Sequence, residues 1–217
     1  MLFRASALFA GVRQFSADYL EATRAGMWAD SREALAPLDL PGRERVLDVG
    51  AGTGELTGVL RAETPGVVVA CDADGGLLAR VPPPALQGDA TRLPLRDDAV
   101  DLVVCQALLV NLPDPGAAIA EFARVSSDLV AAIEPDNSRV RVSSTVPAEA
   151  PLARRARELY LAGVETDATL GAVADRVRAA GLEDVTVRRY DHVRTVEPPY
   201  DERDVEAARR KASGQGL

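Results

Sequence analysis

The stretch VLDVGAGTG, Val46 through Gly54, decides the fold. Val46, Leu47 and Val49 are aliphatic and read as a buried strand, with Asp48 close to its carboxyl end. Gly50, Gly52 and Gly54 follow at every second position. Lacking a Cβ, they let the backbone turn tightly and approach a ligand closely. Glu55, Leu56, Thr57, Val59 and Leu60 then continue as a helix. A loop between a strand end and a helix N-terminus is where open α/β sheets bind nucleotides.

The spacing narrows the ligand. A dinucleotide fingerprint, G-x-G-x-x-G counted from Gly50, needs a glycine where the chain has Glu55, and no Lys-Ser/Thr pair follows the glycines to make a P-loop. The order that fits is acid-x-Gly-x-Gly-x-Gly, Asp48 to Gly54. On this motif the chain resembles the class I S-adenosylmethionine-dependent methyltransferases. The resemblance implies that Asp48 helps hold the cofactor's amino group. It also implies that Gly50, Ala51, Gly52 and Gly54 make room for the methionine and ribose.

Further along, Val67 to Cys71 reads as a second apolar strand. Asp72 stands at its end, about twenty residues after the glycine loop, where a ribose-binding carboxylate is expected, with Ala73 beside it. A helix N-cap is the other role open to Asp72. A short third strand, Ala85-Leu86-Gln87, leads to Gly88-Asp89-Ala90. In the family the acid here accepts a hydrogen bond from the adenine amino group, and the next backbone amide, that of Ala90, meets the ring. Leu93 to Pro115 is similar to the family's fourth-strand segment. Asp101 precedes strand Leu102–Cys105, Gln106 joins the cofactor site, and Gln106 to Asn111 form the loop facing the transferred methyl. The resemblance covers roughly residues 40–190. It implies an α/β, Rossmann-like doubly wound sheet of order 3-2-1-4-5 then 6, with helices on both faces.

The remaining pattern alternates coarsely between helix and strand. Pro115 to Val125 is a helix, Leu129 to Ile133 a fifth strand, and Leu152 to Leu161 a helix inside an extra segment. Asp167 caps a helix carrying Leu170, Val173 and Val177, and Gly181 ends it. Val185 to Tyr190, extending toward Val196, is the expected sixth strand. The family's seventh, antiparallel strand is doubtful. After Val196 come only Pro198-Pro199, a charged helix from Asp201 to Ala212 and a Ser/Gly-rich end. The expected divisions are 1–40 as a helical lid, 41–196 as the cofactor-binding domain and 197–217 as a charged tail.

At 217 residues, 47% of them hydrophobic, one domain with one sizeable core is expected. No run reaches the ~18 apolar residues of a membrane span. The opening residues place Leu8, Val12, Phe15 and Tyr19 at helical spacing, which favours an amphipathic helix over a leader peptide, and a cytoplasmic setting is expected. The net charge is −8, with Lys211 as the only lysine. This acid-rich, lysine-poor composition is similar to that of salt-loving microbes, although a GC-rich genome also favours Arg over Lys. It disfavours a nucleic-acid partner. Cys71 and Cys105 end different strands and are not expected to pair. Two cysteines and His192 do not make a structural zinc site, so no metal is expected. Cys105 lacks the preceding proline of cytosine C5 methylases and reads as a buried hydrophobe.

Elimination points to the broad small-molecule branch. Gln106-Ala107-Leu108-Leu109 stands where amino-methylating nucleic-acid enzymes carry Asn/Asp-Pro-Pro-Tyr. The lysines of the ribose-methylating set are missing, and Gln106 is neutral where aminopropyl transferases have an acid. S-adenosyl-L-methionine is the expected cofactor, a small molecule the expected acceptor, and no catalytic base is assigned. Asn111, Glu134 and Asn137 are candidates to face the substrate. Tyr19 and Trp28 are candidates from the lid, Trp28 being as well suited to plugging the core. A non-catalytic S-adenosylmethionine-binding module, or an RNA or protein acceptor, are the alternatives.

Overall fold

Val46 and Leu47 are neighbours in one strand, and each is wholly buried in a different hydrophobic cluster. Successive side chains of a strand point to opposite faces, so a strand apolar at both positions needs cover on both sides. The computed structural model describes residues 15–24, 27–163, 170–191, 193, 195–202, 204–206 and 209, and within them that cover is helical.

The central sheet has five parallel strands: β1 (Arg45–Val49), β2 (Val67–Asp72), β3 (Ala85–Gln87), β4 (Val100–Gln106) and β5 (Ser126–Ile133). Their order is β3-β2-β1-β4-β5. Asp48 pairs in register with Ala70 on one side and Val104 on the other, which centres β1 in the sheet. The helices are α1 (Ala17–Arg24), α2 (Met27–Asp30), α3 (Glu55–Glu63), α4 (Gly75–Leu78), α5 (Pro115–Val125), α6 (Glu149–Gly163) and α7 (Leu170–Ala179). On one face, Leu47, Val49, Val103 and Cys105 pack with Ala118, Ile119 and Phe122 of α5 and Val173 of α7. On the other, Val46, Val68, Leu102 and Val104 pack with Leu56 and Leu60 of α3 and with Trp28, Leu35, Leu38 and Leu40. Burying side chains of this size contributes about 1.5–3 kcal/mol each, so the two clusters fix the layer order. The order reverses between β1 and β4, and the crevice at their carboxyl ends is where such sheets hold ligands.

Two expectations are corrected here. Residues 185–190 form no strand, so the described sheet ends at β5. A sixth strand would need both faces covered, yet Val187 is 46% exposed and Tyr190 40%. The adjacent Arg188-Arg189 would also put a cation on each face. Second, α6 is longer than its apolar pattern, and Leu152 and Leu159 stay 67% and 58% exposed. Residues 202, 204–206 and 209 are helical within the expected Asp201–Ala212 segment. Leu8, Val12, Asp167, His192 and Lys211 lie outside the described residues.

Candidate active site

The glycine loop is built for a backbone that side chains rarely adopt. Gly50, Gly52 and Gly54 have φ of 73°, 55° and 86°. A Cβ on Gly50 would lie 2.8 Å from Leu108 Cδ1, and one on Gly52 would lie 3.0 Å from Leu20 Cδ1. The loop is tied to the next strand, since the amides of Gly50 and Ala51 donate to the Cys71 carbonyl at 2.8 and 3.0 Å. Gly54 then caps α3, and the chain turns away from the sheet.

Three acids stand around this loop, each oriented by its own partners. Asp48 is 1% exposed, and its Oδ2 accepts from Thr57 Oγ1 at 2.6 Å. Burial lifts its carboxyl to about 6, opposed by the Thr57 hydrogen bond and the Arg24 charge. Asp72 Oδ2 accepts from the Gly52 amide at 2.7 Å, and Oδ1 accepts from the Asp74 amide at 2.8 Å. Burial raises its pKa and these amides lower it. Each oxygen keeps a second lone pair for a ligand hydroxyl. Asp89 Oδ1 accepts from the amide and hydroxyl of Thr91, both at 2.8 Å.

The loop after β4 closes the crevice. Ala107 takes a left-handed φ of 47°, a strained conformation for a residue with a Cβ. Its amide donates to the Ile133 carbonyl at 2.9 Å, and its carbonyl accepts from Asn111 Nδ2 at 2.8 Å. Glu134 holds the next three residues of the loop. Its Oε1 accepts from the Leu108 and Leu109 amides at 3.0 Å each, and its Oε2 accepts from the Val110 amide at 3.3 Å. Burial pushes the Glu134 pKa up against these three amides. The Cys105 thiol beside it is pushed well above its ordinary value, chiefly by burial, and stays protonated and non-nucleophilic.

A cavity of about 540 Å³ opens between these loops. It is lined by Asp48, Gly50, Ala51, Gly52, Asp72, Ala73, Asp89, Ala90, Gln106 and Asn111 among others. Gly54 sits just beyond it as the helix cap. Tyr19 lies behind the lining, its ring stacked on Phe15 at 5.4 Å, and Phe15 reaches the cavity. Trp28 corrects an expectation: it is 5% exposed within the cluster under α3 and belongs to the core flank, not to the lining. Glu134 is corrected too, because its carboxylate is engaged by loop amides instead of facing a substrate. Asn137 begins the short 3-10 turn Asn137–Arg139 after β5.

Two residues of the site, one lining the cavity and one behind Asp48, were not singled out from the sequence. Arg24, at the end of α1, reaches the cavity from a helix that no motif links to the glycine loop. Thr57 is a helix residue whose spacing from Asp48, nine positions, is meaningful only once the loop is folded back.

One polar group at the cavity wall is left unsatisfied. Gln106 is 5% exposed, donates through Nε2 to Met27 Sδ at 3.2 Å, and leaves its buried Oε1 without a partner. An unsatisfied buried acceptor at a cavity wall marks where a ligand donor belongs. Residues 47–128 match the family described as a methyltransferase domain. Over that stretch the chain is similar to the S-adenosylmethionine-dependent methyltransferases.

Among relatives of this methyltransferase domain, the demethylmenaquinone methyltransferase of Mycobacterium sp. (strain KMS) is 39% identical over 98 residues. That alignment covers 44% of this chain and 42% of the relative. The enzyme of the same name from Mycolicibacterium paratuberculosis is 44% identical over 88 residues, covering 38% and 37% of the two chains. The match thus spans about two fifths of the length of these curated relatives. In three dimensions, a SAM-dependent methyltransferase from Aquifex aeolicus superposes with a TM-score of 0.58 at 19% identity, covering 77% of this chain and 89% of that one. A chain of the complex between the Haloferax volcanii Trm112 methyltransferase activator and a methyltransferase gives the same score and identity, with 92% and 90% coverage. At that identity the likeness carries the fold alone.

Proposed function

We propose that the chain transfers a methyl group from S-adenosylmethionine to a small-molecule acceptor. One observation carries the reading: three acids at the ends of β1, β2 and β3 converge on a single cavity with the unsatisfied Gln106 Oε1. Bound there, the cofactor supplies a methyl group made electrophilic by its sulfonium. Asp48 and Gln106 hold its ammonium, Asp72 accepts from the ribose hydroxyls, and Asp89 with the Ala90 amide reads the adenine. Phe15, Leu20 and the Asn111–Asp114 segment face the acceptor. These residues align the reacting groups and exclude water, which is most of what transfer from a sulfonium requires.

The printed name of the curated relatives, demethylmenaquinone methyltransferase, supports a small-molecule acceptor. The family match at 47–128 falls in the cofactor half, so it bears less on the acceptor. No described helix is long and apolar enough to cross a membrane, and a cytoplasmic setting is part of the proposal.

Tritiated methyl transfer from the cofactor to cell extract, sorted into small-molecule, RNA and protein fractions, tests the reading. Label in the small-molecule fraction is the expected result. Label confined to RNA or protein replaces the acceptor class, and binding without transfer to any fraction replaces the enzyme with a binding module. Calorimetry adds the cofactor test: heat with NAD and none with S-adenosylmethionine or S-adenosylhomocysteine overturns the proposal.

A further inference from the structure

One stretch of the surface reverses the charge of the chain as a whole. Residues 138–159 carry five arginines, Arg139, Arg141, Arg154, Arg155 and Arg157, against two acids, Glu149 and Glu158, in a chain of net charge −8. The same stretch leaves four aliphatic side chains in water, Val140, Val146, Leu152 and Leu159, each of them half exposed or more. Arg139, Arg141, Arg154 and Arg155 are exposed beside them.

Folding brings the two sets together. Leu152 and Leu159 stand two turns apart on α6 and share a face, with Arg155 between them. α6 packs against the turn Asn137–Arg139, and Arg157 donates to the Val140 carbonyl, so Arg139, Val140 and Arg141 lie beside the helix. The described ion pair of α6, Arg155 with Glu158, is exposed on both sides and leaves the arginine available. This segment follows the carboxyl end of β5, and in a parallel sheet that is the edge at which the cavity opens.

Aliphatic side chains interleaved with arginines fit an anionic lipid surface. The aliphatic groups enter the acyl boundary while the guanidinium heads stay at the lipid phosphates. A single-stranded nucleic acid calls for aromatic platforms to stack its bases, and residues 138–159 contain no aromatic side chain. The acidic remainder of the chain does not oppose the contact, because salt screens charges more than about 10 Å from the lipid at 0.1 M.

We propose that α6 and the adjoining residues 139–141 form a peripheral docking surface for an anionic lipid bilayer, which turns the carboxyl edge of the sheet toward the membrane. This goes beyond the methyl-transfer reading and does not depend on it.

Co-sedimentation of the full chain with vesicles tests the surface, using phosphatidylcholine alone and phosphatidylcholine mixed with phosphatidylglycerol. The chain should sediment with the mixed vesicles at about 0.1 M KCl, much less with phosphatidylcholine alone, and less with either as salt rises. Arg154→Gln with Arg155→Gln should weaken binding by about 10–30-fold, at about fivefold per arginine. Leu152→Ser with Leu159→Ser should weaken it by about tenfold or more. Both pairs are exposed, so neither should move the melting midpoint. Sedimentation with neither vesicle, equal sedimentation with both, or binding that neither pair of substitutions weakens overturns the proposal. Binding to a single-stranded RNA oligonucleotide that the arginine pair abolishes and the leucine pair leaves intact, with no vesicle binding, reassigns the arginines and also overturns it. So does a dimer in light scattering that the leucine pair returns to monomer without any vesicle binding, since the surface then belongs to a second copy of the chain.

Discussion

Replacing Asp48 by Asn should make the protein more stable and the site weaker. The carboxylate is 1% exposed, and burial raises its pKa from 3.8 to about 6. That displacement corresponds to a cost of about 3 kcal/mol for holding the ionised form in the fold at pH 7. The sign follows from linkage: between pH 3.8 and about 6 the folded chain binds the proton that the unfolded chain has released, so stability falls as pH rises through this window and is flat above it. Asn keeps an oxygen to accept from Thr57 Oγ1 and carries no charge. Part of the gain is offset because Arg24 loses a favourable neighbour. A net stabilisation of about 1–2 kcal/mol is expected at pH 7.5, a rise in Tm of about 2–8 °C for a chain of this length. The gain should shrink toward zero near pH 4. Loss of the charged acceptor should weaken S-adenosylmethionine by about 10–100-fold at pH 7.5. Calorimetric melting at both pH values, with titration of the cofactor at pH 7.5, checks each part. A variant equally destabilised at both pH values, or one with undiminished affinity, would refute the argument.

Three further outcomes are expected. Glu134→Ala, which removes the acceptor shared by three loop amides, should cost about 1–3 kcal/mol in urea unfolding and accelerate hydrogen exchange at Leu108, Leu109 and Val110; unchanged exchange there would remove its loop-holding role. Gly50→Ala should destabilise by about 1–2 kcal/mol, because its φ of 73° penalises a Cβ, whereas Gly58→Ala in α3, with nothing within 4 Å, should stabilise by about 0.5–1 kcal/mol, as paired melts would show. The net charge of −8 repels itself at low ionic strength, and salt screens it over about 10 Å at 0.1 M, so the melting midpoint should rise with KCl. A flat or falling midpoint would trace the composition to codon usage.

The sheet centre and the cofactor side of the site were legible because their signals are local. Asp48 with its alternating glycines, Asp72 ending an apolar run, and Asp89 after a short strand each carry their meaning within about ten residues. The order of strands then brings them together. Arg24 was not legible, because a single arginine on a short amphipathic helix looks like any solvated charge until the helix is laid over the glycine loop. Trp28 was ambiguous for a related reason: an aromatic before the first strand serves a lid or a core equally well, and the three-dimensional course of Arg32–Leu38 decided for the core. Glu134 was noticed for its place at a strand end, but its task depends on the Ala107 turn, which no residue type announces. Residues 185–190 show the limit of alternation. Val185 and Val187 have strand-like spacing, yet their neighbours leave no covered face for them to join.

The charge arrangement around the cavity explains how one loop chemistry selects among nucleotide cofactors. A ligand phosphate about 6 Å from a single carboxylate is repelled by about 3 kcal/mol at an effective dielectric constant of about 20. Six acids line this cavity and Arg24 alone opposes them among the described residues, so a dinucleotide with two phosphates is disfavoured before any steric effect of Glu55. The same field favours a ligand whose sulfonium and ammonium outnumber its one carboxylate. The chain sustains these acids without collapse because Asp48, Asp72 and Asp89 are each bonded to a hydroxyl or backbone amides, which fix their geometry before any ligand arrives. On the proposed function, stability is given up at Asp48 for recognition, since the buried carboxylate that costs the fold energy is the one proposed to meet the cofactor's ammonium.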